Sequence, residues 1–128
     1  NIASRAQKLA EDETHFSQDA LKEISIMESL CNNILDELII LDYDEFKNIV
    51  DKVDIMEDNI DKTQHQFTVN QLIRLKEKKC STENSIIYTK ILTDFERIGD
   101  HGLNIAESLY HIRKIMKQMK MIKPEIEE

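Results

Sequence analysis

Three long runs of apolar residues, spaced three and four positions apart, constrain the fold of this chain most strongly. Such spacing places the apolar side chains on one face of an α-helix, so the runs predict helices over about residues 4–41, 44–79 and 82–121. The 128 residues include only 2 glycines and 1 proline, too few turn residues for a sandwich or barrel. Because the predicted connections are short, the helices should pack as an antiparallel three-helix bundle, an all-α fold.

Each predicted helix has its own set of core positions. The first set is Ala6, Leu9, Glu13, Phe16, Ala20, Ile24, Met27, Cys31, Ile34, Leu38 and Leu41. The second is Phe46, Ile49, Val53, Met56, Ile60, Thr63 and Phe67, shifting then to Leu72, Ile73 and Leu75. The third is Tyr88, Ile91, Phe95, Ile98, Gly102, Ile105, Leu109, Ile112, Met116 and Met119.

The predicted helix starts carry capping residues, and the chain has the size of one domain. Asp42 with Glu45 can cap the second helix, and Ser81 or Thr82 the third. We expect residues 1–128 to form a single domain with an acidic tail over 122–128. Because the chain begins without Met, we expect it to be a fragment of a longer protein.

The charge balance excludes several classes of partner. The chain has 17 Lys and Arg against 25 Asp and Glu, a net charge of −8, which argues against nucleic acid or anionic lipid as the main partner. No apolar run approaches the ~18 residues of a membrane helix. The two cysteines, Cys31 and Cys80, lack the spacing of a zinc knuckle or a disulfide framework, which indicates a reducing compartment. This composition suits a protein that attracts cations.

Two pairs of carboxylates on predicted neighbouring helices suggest where a cation would bind. Glu57 and Asp61 are four positions apart on the second helix, as are Glu96 and Asp100 on the third, so each pair shares one face. Folding the hairpin about Ser81 places Asp61 next to Asp100. A multivalent ion such as Fe, Mn, Zn, Mg or Ca would reverse the repulsion between them, and the spacing does not choose among these. The alternative is a solvated acidic face.

The only glycines of the chain are Gly99, between Glu96 and Asp100, and Gly102, two residues after Asp100. Glycine inside a helix costs about 1 kcal/mol relative to alanine, so their presence predicts that backbone or a bound ion comes close there. A helix break is the alternative. His65 and His101 could add ligands, although exposed histidines are more often simply solvated.

The sequence around these residues resembles the PhoU family. Thr93–Glu107 reads TDFERIGDHGLNIAE and is similar to the signature helix of that family, while Ile55–Asp61 (IMEDNID) resembles its other acidic motif. The resemblance implies a three-helix bundle, often found in tandem, with surface metal clusters that serve phosphate uptake or signalling. Carried over residue by residue, the implied metal ligands are Glu57, Asp61, Glu96 and Asp100. Two departures are Gly102, where the family usually has alanine, and the presence of one bundle only.

A single bundle looks most like the cytosolic C-terminal domain of a bacterial sodium/phosphate cotransporter. This resemblance implies a metal-binding regulatory domain at the inner face of the membrane, with a membrane transport domain as its partner. Phosphate could bind through the metal, and a homodimer is possible. The alternatives are a stand-alone PhoU-type regulator of phosphate uptake and a purely structural bundle. An enzyme of the di-metal oxidase class is disfavoured, because the sequence contains no Glu-x-x-His pair.

Overall fold

Three helices make up the part of the chain that the computed structural model describes, residues 16–39 and 46–122. They are α1 (Gln18–Ile39), α2 (Phe46–Lys76) and α3 (Thr82–Ile122), and no strand occurs within these ranges. The all-α prediction is confirmed. None of the described helices combines the length and apolar character needed to cross a bilayer.

Contacts between side chains give the directions of the helices. Glu23 of α1 bonds to Arg74 near the end of α2, whereas Glu37 pairs with Lys52 near its start at 2.8 Å, so α1 and α2 are antiparallel. Glu23 also bonds to Tyr88 near the start of α3. Further along both helices, Gly102 lies against Ile34 and Leu38. Therefore α1 and α3 run in the same direction, with α2 opposed to both.

The start of α1 differs from the prediction, whereas the start of α3 agrees with it. Phe16 and Ser17 are not helical, and the Ser17 hydroxyl accepts the backbone N–H of Ala20 at 3.1 Å. This N-cap stops the helix from continuing back through residue 16, so the expectation of one unbroken helix from about residue 4 is wrong. Ser81 caps α3 by accepting the N–H of Asn84 at 3.0 Å. The predicted Asp42 cap lies outside the described residues.

A Schellman motif ends α2 and fixes the α2–α3 register. The N–H of Lys79 donates to the carbonyl of Arg74 at 2.8 Å, and that of Lys78 donates to Leu75 at 3.1 Å. Lys78 adopts the left-handed conformation this motif requires, with a φ of 61°. The helical hairpin is therefore centred near residue 79 rather than Ser81, which brings Ile60 of α2 against Gly99 of α3.

The core follows the predicted stripe closely in α1 and only in part elsewhere. In α1 the predicted positions from Phe16 to Ile34 are all buried. In α3 the predicted positions are buried as far as Phe95, whereas Ile105 and the later ones at 112, 116 and 119 are substantially exposed. The buried core consists of Phe16, Ala20, Ile24, Met27, Cys31, Ile34, Ile49, Val53, Ile60, Tyr88, Ile91, Leu92, Phe95 and Ala106.

A buried carboxylate links all three helices at one end of this core. Glu23 accepts hydrogen bonds from Arg74 at 2.6 Å, from Asn70 at 2.7 Å and from the Tyr88 hydroxyl. Burial raises the pKa of Glu23, but the bonds from Arg74, Tyr88 and Asn70 outweigh it, so the net pKa lies below the ordinary value. The carboxylate is therefore ionised and fully partnered, which is what burial of a charge requires.

This polar cluster also corrects the predicted core of α2. Leu72 and Ile73 are 59% and 50% exposed, whereas Gln71 is 3% exposed and donates to the Ser85 hydroxyl at 3.1 Å. The predicted shift of the stripe to Leu72 and Ile73 is wrong. The spacing continues from Phe67 through polar residues, because Glu23 supplies a hydrogen-bonding surface there instead of an apolar one.

Candidate metal centre

Three carboxylates from α2 and α3 converge at one point on the bundle. Glu57 and Asp61 are one turn apart on α2, and Ile60 between them packs against Gly99, the residue before Asp100. One carboxylate oxygen each from Glu57, Asp61 and Asp100 lies within 4.8 Å of the others. The i,i+4 spacing on α2 and the register of the helical hairpin together produce this cluster.

The two glycines beside Asp100 allow the helices to approach closely. A Cβ atom at position 99 would lie 3.2 Å from Cδ1 of Ile60 on α2, and one at position 102 would lie 2.5 Å from Cγ2 of Ile34 on α1. Each glycine therefore faces a different neighbouring helix. The helix-break alternative is wrong, since α3 is continuous from Thr82 to Ile122.

Burial and mutual repulsion raise the pKa values of two of these acids, Glu57 and Glu96. Burial, followed by hydrogen bonding and repulsion from Asp100 and Asp61, raises the pKa of Glu57 to about 8. Burial and the neighbouring Asp100 also raise the pKa of Glu96, with Arg97 acting in the opposite direction. Without a cation, the cluster is most stable when at least one of its carboxyl groups holds a proton.

The three carboxylates have the chemistry and the spacing of a hard-cation site. Ions such as Mg²⁺ and Ca²⁺ bind oxygen ligands at roughly 2.0–2.6 Å, so oxygens on opposite sides of one ion lie about 4–5 Å apart. The oxygens of the Glu57, Asp61 and Asp100 cluster lie within 4.8 Å of one another, close enough for one ion to reach all three. An ion bound there would replace the repulsion between the acids with attraction.

Glu96 lies beside this cluster rather than within it. The group whose oxygens come within 4.8 Å of one another contains Glu57, Asp61 and Asp100. Glu96 is one helical turn, about 6 Å, nearer the α2–α3 connection. It interacts directly with Asp100 through a side-chain hydrogen bond, and with Asp61 by electrostatic repulsion. His65 and His101 are exposed and do not belong to the group.

Sequence reasoning missed the Glu23 cluster, although a signal for it was available. Following the three–four spacing strictly beyond Phe67 leads to Gln71 and Arg74, and the same spacing from Ala20 leads to Glu23 before Met27. Buried polar residues on neighbouring helices, here Glu23 on α1 and Gln71 and Arg74 on α2, are expected to find hydrogen-bond partners in the core.

The fold and the cluster define an all-helical bundle with acidic side chains gathered on the outer faces of two helices. The sequence model of the PhoU domain family matches residues 24–109, and the chain therefore belongs to the PhoU domain family. It is 27% identical over 120 residues to the phosphate-specific transport system accessory protein PhoU homolog 1 of Thermotoga maritima. That alignment covers 92% of this chain and 51% of the relative, so the chain spans about half the relative's length. No solved structure matches the chain significantly.

Proposed function

We propose that this chain binds a metal ion through Glu57, Asp61 and Asp100 and acts as an accessory, regulatory domain of a phosphate transport system. The convergence of three carboxylates from two helices supports the metal site. The family match and the named role of the Thermotoga maritima relative support the regulatory role. Of the two forms of such a regulator, the stand-alone accessory protein has more support than the cotransporter domain, since the relative is named as an accessory protein.

Phosphate would join this site through the metal. An ion with six ligand positions that is held by three carboxylates has positions left for water or for an oxyanion. The acidic cluster by itself repels phosphate, so phosphate should bind only to the metal-loaded protein. The role is one of binding and contact rather than catalysis. The transport component is the partner, and the protein acts at the cytoplasmic side of the membrane.

Metal titration with matched variants tests the site. Mn²⁺ should bind the metal-free wild-type protein and raise its melting temperature, and D61N/D100N should weaken that binding at least tenfold. D51N/D54N removes two exposed carboxylates of the same helix and should bind as wild type does. E96Q, beside the cluster, should have a smaller effect than D61N/D100N. Equal binding by D61N/D100N and wild type would show that the site assignment is wrong.

Two further measurements test the function. Isothermal titration of inorganic phosphate should show binding to Mn²⁺-loaded protein and none to chelated protein. In cells, replacing the chromosomal copy by D61N/D100N should change phosphate uptake, whereas D51N/D54N should not. If metal and chelator leave the melting temperature equal, a purely structural bundle is favoured instead.

The gene itself separates the two forms of regulator. Membrane-spanning segments encoded upstream of Asn1 would favour the cotransporter domain. A second acidic repeat in the same reading frame would favour the stand-alone accessory protein.

A further inference from the structure

The C-terminal part of α3 extends past the described parts of both neighbouring helices. Because α1 runs parallel to α3 and both Ile34 and Leu38 lie against Gly102, the end of α1 at Ile39 is level with about residues 103–107. Because α2 is antiparallel and Ile60 lies against Gly99, its start at Phe46 is level with about residue 113. The last turns of α3, to Ile122, lie beyond both levels.

This end of α3 carries an exposed apolar stripe. Ile112, Ile115, Met116 and Met119 are 52%, 42%, 42% and 51% exposed. Their spacing of three and four positions places them on a single face of the helix. In the part of the chain that the structure describes, these side chains continue the core stripe of α3 beyond the helices that would have covered it.

The same segment is positively charged, whereas the protein as a whole is negatively charged. Residues 109–122 contain four Lys and Arg and no Asp or Glu, in a chain whose net charge is −8. Lys114, Lys117 and Lys120 are exposed and, at 100° per residue, lie outside the apolar stripe, beside it and on the opposite face. Apolar residues on one face and lysines around the rest are the pattern of a helix that lies in a membrane interface.

We propose that the end of α3, with its apolar stripe of Ile112, Ile115, Met116 and Met119, docks on the surface of an anionic lipid bilayer. The stripe would enter the headgroup region while Lys120, beside it, contacts lipid phosphates. Lys114 and Lys117, on the opposite face, would be attracted to the anionic surface at longer range. The chain before residue 109 is acidic and is repelled by such a surface, so the protein approaches it with this end. The overall charge excludes anionic lipid as a partner for the body of the bundle but not for this segment.

A second copy of the chain is a poorer occupant of the stripe. Two such stripes packed against each other would gather the lysines of both copies at one end of the assembly, and like charges near an interface are unfavourable. Asp100 is twelve residues before Ile112 on the same helix, about 18 Å along its axis. Bilayer docking and metal binding therefore use separate surfaces and can fail separately.

Cosedimentation with vesicles tests this docking on the 128-residue chain. The protein should bind vesicles of phosphatidylcholine and phosphatidylglycerol, bind phosphatidylcholine alone far more weakly, and dissociate as salt is raised. Each lysine near an anionic surface contributes a factor of about five, so K114Q/K117Q/K120Q should weaken binding about a hundredfold. I115S/M119S should weaken it at least tenfold.

Matched variants control for net charge and for apolar exposure. K22Q/K62Q/K90Q removes the same charge from exposed lysines elsewhere, and I55S/I86S removes two other exposed isoleucines; both should retain most of the binding. Equal binding to the two vesicle types, or equal losses for the two lysine triples, would overturn the proposal. So would a lipid-free dimer, seen by analytical ultracentrifugation, that I115S/M119S abolishes, because the stripe would then be a dimer interface.

Discussion

The two glycines of α3 permit a sharp test, because the same substitution should have opposite effects at positions three residues apart. Replacing either glycine by alanine gains about 1 kcal/mol of helix propensity. At Gly99 the new Cβ would meet Cδ1 of Ile60 at 3.2 Å. That atom is the far end of a flexible side chain and can move by a few tenths of an ångström. G99A should therefore leave the free energy of unfolding unchanged or raise it by up to ~1 kcal/mol.

At Gly102 the same change meets a rigid obstacle. The new Cβ would lie 2.5 Å from Cγ2 of Ile34, about 1 Å inside ordinary contact. Ile34 is fully buried, and its β-branched side chain has one strongly preferred rotamer in a helix. Overpacking of this kind costs about 1–3 kcal/mol, and the near-complete burial points to the upper part of that range. After the gain in propensity, G102A should destabilise the bundle by about 1–2 kcal/mol.

Urea unfolding followed by circular dichroism measures the difference. With a slope of about 2 kcal/mol/M, G102A should unfold at a midpoint roughly 0.5–1 M below wild type and also below G99A. I34A removes the obstructing atom at its own cost of about 2–5 kcal/mol. In that background the alanine at 102 should stabilise rather than destabilise. The predicted clash between position 102 and Ile34 would be refuted if G102A is as stable as G99A. It would also be refuted if G102A destabilises the protein equally with and without I34A.

Three other measurements follow from the described contacts. E23Q leaves Arg74 without its buried counter-charge and should lower the free energy of unfolding by about 3 kcal/mol at neutral pH, measured by urea unfolding. Because the pKa of Glu23 is lowered in the folded state, the difference in stability between wild type and E23Q should shrink as pH falls below about 4.5. A difference that is unchanged down to pH 3 would contradict this ion pair. In metal-free protein the pKa of Glu57 is raised, so the folded state binds a proton that the unfolded state has lost. The free energy of unfolding should therefore fall by about 1–2 kcal/mol, after solvent screening, as pH rises from about 5 to 8. E57Q should make the free energy of unfolding less dependent on pH over this range. K78G should raise the melting temperature and the stability by about 0.5–1 kcal/mol, since glycine adopts the left-handed conformation of Lys78 without strain, whereas K76G inside the last turn should lower both.

The fold was predictable because its information is local and repeated. Each helix buries one face, and the apolar residues that record that face recur over many turns, so single exceptions do not hide it. The prediction of helix bounds and core positions failed where a single residue interrupted the apolar spacing. The Ser17 hydroxyl caps the start of α1 by accepting a single hydrogen bond from the N–H of Ala20. Gln71 is buried in place of Leu72 and Ile73, because it donates to Ser85 of α3 and accepts from Arg74, which pairs with Glu23.

The carboxylate cluster was predictable in part, for a similar reason. The i,i+4 spacing of Glu57 and Asp61 is a local property, and the hairpin register brought Asp61 near Asp100 even with the centre of the turn misplaced by about two residues. Whether Glu96 joins the group of three carboxylates depends on the axial position of α3 relative to α2, to within one helical turn. The spacing along the sequence does not give that position. The structure places Glu96 beside the group of three.

The sequence by itself determined the helices and the two acidic pairs, because these depend on spacing along one chain, and it determined the mutual directions of the helices, because the predicted connections are short. Only the tertiary structure decided which carboxylates converge, which neighbouring helix each glycine faces, and how far α3 extends beyond the described parts of α1 and α2. Those outcomes depend on the axial offset between helices. The offset is set by the α2–α3 turn at Lys78 and by close contacts such as Ile34 on Gly102, and no single helix contains that information.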